Sequence, residues 1–98
     1  MNIYMLSEYK NGVCGYFANL TALTQYIAEK SPIDNKFSVL DAATAGEYDL
    51  TPENISYIIN QTREVCGENY AASIYIDVDI VLNIVTTQYL ISTVDVKE

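Results

Sequence analysis

Apolar positions along the 98-residue chain recur with two periods, and the switches between them mark the elements. Residues 2–9 and 13–18 read as two strands flanking Asn11-Gly12, a dipeptide that tolerates the positive φ angles of a tight hairpin turn. A two-residue loop would pair Tyr9 with Cys14, Ser7 with Tyr16 and Met5 with Ala18 on one face, with Leu6 facing Phe17 on the other. Both faces are partly apolar, which predicts a strand pair covered on two sides.

The period then changes to that of a helix. Asn19 is a good N-cap, and Leu20, Leu23 and Ile27 fall on one side of the helix it opens. Ser31-Pro32 closes the helix near Lys30, because a residue before proline avoids the α region. Lys30 would then lie in the last turn, where the helix dipole favours a cation. Residues 36–42 read as a third strand with Phe37 and Val39 facing one way, and residues 43–49 as a loop turning at Gly46.

A second helix has the strongest local signature. Thr51 caps it, and Pro52 occupies the first helical position, where its missing N–H costs nothing. Glu53 complements the positive end of the dipole, and Leu50 can staple onto Ile55. Ile55, Ile58, Ile59, Thr62 and Val65 form one stripe, and Gly67 stands where a left-handed C-terminal residue is wanted.

From Ser73 onward Ile74, Ile76, Val78, Ile80 and Leu82 alternate with Tyr75, Asp77, Asp79, Val81 and Asn83, the period of a half-buried strand. Residues 89–96 read as a closing strand, with no Gly or Pro near Thr86-Thr87 to signal a hairpin. A helix over residues 80–90 capped by Asp79 is the rival, but its β-branched content favours strand. The expectation is a single α+β domain over residues 1–98, ordered ββαβαββ. Its mainly antiparallel sheet would have about five strands, with two helices packed on one face. No repeat, linker or low-complexity segment interrupts it.

Charge changes this picture by being uneven. Residues 1–36 carry three acids and three bases, whereas residues 37–96 carry nine acids and Arg63, and the net charge is −8. A one-signed surface repels nucleic acid and attracts cationic protein grooves. The N-terminus lacks a basic start and a long apolar run, and the densest apolar run, residues 80–85, is too short to span a bilayer. These features predict a cytoplasmic protein with no membrane contact. Cys14 and Cys66, 52 positions apart, read as buried, reduced thiols. Three Asn-x-Ser/Thr triplets, at Asn19, Asn54 and Asn60, are then chance matches.

The missing chemistry narrows function further. The chain has no histidine, so Ser-His-Asp and Cys-His nucleophiles and Cys/His zinc sites cannot be built. Its four glycines are scattered, so no phosphate loop forms, and five basic residues make no stripe for direct nucleic-acid binding. No cofactor is implied. Asp77 and Asp79 share a strand face and could begin a Mg²⁺ site for phosphoryl transfer if Glu64 or Glu68 approached.

Asp41, Glu47, Tyr48, Asp49 and Glu53 read as an electronegative lip with an aromatic anchor, suited to an Arg- or Lys-lined groove. Tyr75, Asp77 and Asp79 form a second partner-binding surface. The leading expectation is a non-enzymatic inhibitor that occupies a basic, nucleic-acid-binding surface of a partner such as a nuclease. It would resemble phage anti-defence or toxin-immunity proteins as a class, through size and charge. The alternatives are a self-associating structural module, such as a homodimer, and the Mg-dependent protein using Asp77 and Asp79.

Overall fold

The computed structural model describes residues 2–30, 32–81 and 83–96. Six strands and two helices follow in the order β1 (Asn2–Glu8), β2 (Gly12–Phe17), α1 (Leu20–Ala28), β3 (Lys36–Val39), β4 (Gly46–Asp49), α2 (Pro52–Cys66), β5 (Ala72–Ile80) and β6 (Asn83–Asp95). The strands form one sheet in the order β2-β1-β6-β5-β3-β4, and each neighbouring pair is antiparallel. The α+β architecture expected from the residues is the one observed, with six strands where about five were expected.

The additional strand is β4, which occupies the end of the expected loop 43–49. Only Tyr48 in Gly-Glu-Tyr-Asp is apolar enough to signal burial, so periodicity could not find it. Turn chemistry upstream builds the hairpin. The Ala43 N–H donates to Asp41 Oδ1, the Thr44 N–H donates to the Asp41 carbonyl, and the Tyr48 hydroxyl donates to the Thr44 carbonyl at 2.6 Å. β3 ends at Val39, three residues earlier than expected.

The first hairpin differs from expectation in register. Glu8 pairs with Gly12, so the loop is Tyr9-Lys10-Asn11, with Lys10 at φ 71° and Gly12 at φ 96°. Left uncorrected, this shift would send Tyr16 inward and Phe17 outward. A bulge opposite Leu6/Ser7 absorbs one residue of β2 and restores Tyr4↔Phe17 and Met5↔Tyr16 pairing. Phe17 therefore meets Tyr26 of α1 at 5.4 Å between ring centroids.

The helices begin where their caps predict. Asn19 accepts the Ala22 N–H at 2.9 Å and Thr51 accepts the Asn54 N–H at 3.2 Å. Leu50 and Ile55, the staple pair, are both buried. Helix α1 ends at Ala28 with Glu29 as its cap, so Lys30 lies beyond the last turn. Ser31, expected to close that helix with Pro32, lies outside the described residues. Ile55, Ile58 and Ile59 are buried, but Val65, in the last turn of α2, is exposed.

Ile80 and residues 83–90 are strand and not helix. The reversal occurs between Ile80 and Asn83, well before Thr86-Thr87, and joins β5 to a 13-residue β6. Leu82, counted in the expected alternation, lies outside the described residues. Neither residue between Ile80 and Asn83 in the sequence is Asn or Gly, which is why the position of the turn was illegible.

One core holds these elements together: Leu6, Leu23, Ile27, Phe37, Val39, Leu50, Ile55, Ile58, Ile59, Ala72, Ile74, Ile76, Tyr89 and Ile91. Register places every strand member of that set on one sheet face, with α1 against β1 and β2 and α2 against β5. No described element covers the opposite face, so the first strand pair is covered on one side and not two. Among the described residues no helix is long and apolar enough to cross a membrane.

Candidate functional site

Strand alternation assigns the open face residue by residue. β4 contributes Glu47 and Asp49, β3 contributes Lys36 and Ser38, and β5 contributes Ser73, Tyr75, Asp77 and Asp79. Glu47 pairs with Ser38, which pairs with Tyr75, so the three form one row across three strands. The two acidic clusters, separate in sequence, become one surface because β3 lies between β4 and β5.

Lys36 sits within this surface, its Nζ 3.7 Å from Glu47 Oε1 and 3.4 Å from Asp49 Oδ1. All three side chains are exposed, so water and salt screen the pairing and it offsets only part of the local negative potential. Two carboxylates thus meet the Lys36 ammonium, and Asp77 and Asp79 stand on the same face on β5. Asp77 is fixed by its cross-strand partner, since the Thr86 hydroxyl donates to Asp77 Oδ1 at 2.6 Å. Asp79, at the far end of the row, is exposed.

Three of the expected site residues leave this surface. Tyr48 points to the core side, with its ring stacked on Phe37 at 5.4 Å and tilted against Tyr57 at 6.2 Å. It anchors the loop internally and presents no aromatic knob to a partner. Asp41 organises the β3–β4 turn and borders a small pocket of about 140 Å³ that also touches Tyr75, Ile58, Cys66 and Tyr70. Glu53 is exposed in the first turn of α2. The thiols differ from expectation as well: both are free, but Cys66 is exposed and Cys14 is only partly buried.

The Asp77/Asp79 pair gains no acidic neighbour of the kind a cation would need. Among the described residues no three His, Cys, Asp or Glu side chains gather as a metal-binding group. Residue reading missed Lys36, the cation that joins Glu47 and Asp49, and Thr86, the donor to Asp77. Both become visible only once strand partners are known.

A second concavity lies at the end of α1, beneath the β5–β6 hairpin. This cleft of about 510 Å³ is bordered by Glu8, Tyr26, Lys30, Val78, Ile80 and Tyr89, among others. The Lys30 ammonium lies 4.7 Å from the Tyr26 ring centroid. Burial pushes the Tyr89 phenol up to about 12, with Glu8 adding to the rise.

No family model matches this chain, and no curated protein or solved structure matches it either.

Proposed function

We propose that the protein is a cytoplasmic protein-binding module whose acidic sheet face occupies a basic, nucleic-acid-binding surface of a partner protein. In this reading it inhibits that partner by covering the groove, as phage anti-defence and immunity proteins do as a class. It acts without catalysis or a cofactor. The observation that carries the reading is the uncovered face of β4, β3 and β5, which holds Glu47, Asp49, Asp77, Asp79 and Tyr75 with Lys36, paired to Glu47 and Asp49, as its one cation among the described residues. Paired strands fix the backbone under these carboxylates, so little backbone ordering opposes docking on an Arg- or Lys-rich groove. Tyr75, half-buried among them, supplies amphipathic contact area.

The test compares two double variants with the same change in charge. Glu47→Lys with Asp79→Lys alters the face; Glu53→Lys with Glu64→Lys alters only α2. Each is immobilised beside the wild type and challenged with lysate of the source cell, with and without duplex DNA as competitor. A cationic protein retained by wild type and the α2 variant, lost on the face variant and displaced by DNA is the expected result. Equal retention by both variants would overturn the assignment of the face.

A further inference from the structure

Tyr89 borders the cleft at the end of α1 and is only 4% exposed, yet its hydroxyl has no hydrogen-bond partner among the described residues. A buried phenol ordinarily finds one, and leaving it unpartnered costs stability. Among the described residues every side-chain oxygen fully shut from solvent is partnered, so this hydroxyl is the part of Tyr89 that reaches open space. Glu8 and Tyr26 both act on the phenol and both border the cleft, which places the opening there. Raised to about 12 by burial and then by Glu8, the phenol keeps its proton and stands in the cleft as a donor.

Two opposite charges accompany this donor. Glu8 is the cross-strand partner of Tyr89 and therefore shares its face. Its Oε1 accepts from Asn11 Nδ2 at 2.9 Å, which leaves the second carboxylate oxygen open. Lys30 follows α1, with its ammonium 4.7 Å from the Tyr26 ring centroid. Glu8 and Lys30 border one cleft, but neither forms an ion pair with the other or with any described residue. Val78 and Ile80 add an apolar wall, since alternation along β5 turns them to the same side as Tyr89. Asp79 borders the cleft as well, but the same alternation turns its carboxylate to the open face of the sheet.

An unpartnered donor, an acid and a base that share a cleft without meeting, and an apolar wall are complementary to a molecule carrying both charges and an aliphatic body. The cleft volume of about 510 Å³ lies within the range of roughly 300–1,000 Å³ that small-molecule sites occupy. We infer that the cleft binds a free amino acid with an apolar side chain. Lys30 and the Tyr89 hydroxyl hold its carboxylate, Glu8 holds its ammonium, and Val78 and Ile80 pack on its side chain. The site lies on the helix side of the sheet, so it stands or falls apart from the reading of the acidic face.

Leucine and phenylalanine, titrated into the isotope-labelled full chain and followed by amide chemical shifts, are the test. At least one should move the amides of Glu8, Lys30, Val78, Ile80 and Tyr89 along a saturating curve. Its amide, which lacks the carboxylate, and its N-acetyl derivative, which lacks the ammonium, should each bind at least about tenfold more weakly. Tyr89→Phe keeps the buried ring and Lys30→Gln keeps an exposed polar stem, so both should fold, and each should weaken binding about tenfold. Glu64→Gln, on α2, should leave it unchanged. No saturable shift with either amino acid would overturn the inference. So would equal responses to the amino acid and both derivatives, or binding indifferent to the Tyr89 and Lys30 variants.

Discussion

The sheet divides into two halves that share a core and differ in everything facing water. β2, β1 and β6 with α1 form one half, and α1 has no charged residue in its nine positions. On the open face these three strands present Val13, Tyr16, Ile3, Met5, Ser7, Leu90, Ser92 and Val94, again without a charge. β5, β3 and β4 with α2 form the other, and its open face holds four carboxylates and Lys36. Both halves bury aliphatics to the same depth, from Leu6 in one to Ile58 in the other. The buried layers are thus alike, and the two halves differ in what they turn to water.

The sharpest way to break this comparison is to remove a core side chain from each half. Leu6→Ala and Ile58→Ala should each cost about 2–5 kcal/mol, since both sites are almost fully buried. Urea unfolding followed by circular dichroism and by tyrosine fluorescence should give one coincident transition in both variants. Separate transitions for the two probes would mean that the halves are independent units.

A smaller effect tests the seam between the halves, where Tyr89 of β6 lies against Ile74 of β5. The folded phenol titrates near 12 and the unfolded one near 10, so folding favours the protonated form. Its contribution is complete below pH 10 and is lost as pH rises from 10 to 12, on the order of 2 kcal/mol. Thermal melting across that window should fall more steeply for wild type than for Tyr89→Phe. Parallel curves would show that this phenol is solvated in the folded state.

The smallest effect sharpens the electrical contrast. Lys36→Gln removes the only basic residue of the β3–β4 hairpin, yet its ion pairs are exposed, so stability should change by less than about 1 kcal/mol. The change should vanish at high salt. Association with a cationic partner should instead quicken, because the face becomes more negative. A large loss of stability would reveal that Lys36 is structural.

Legibility followed the range of the interactions concerned. Asn19, Thr51, Pro52 and Leu50 act within one helical turn, and the helices they open were readable from neighbouring residues alone. β4 was missed because its one inward side chain, Tyr48, is held by the Thr44 carbonyl of the turn and by the Phe37 ring across the hairpin. The site was half legible for the same reason. The acids that alternate along β5 were grouped correctly, but their union with Glu47 and Asp49 depends on β3 lying between them. Tyr48 was expected to face outward because nothing local distinguishes an anchor for a partner from an anchor for a loop.

The residues by themselves determined the caps, the stripes that face the core, the class of fold and the excess of acid beyond residue 36. Strand order, the bulge that keeps Phe17 inside, the reversal at Val81 and the meeting of two acidic clusters on one open face were decided only by tertiary structure. Local chemistry sets the period of an element. Which elements become neighbours depends on burying one shared apolar face, a condition that no short segment contains.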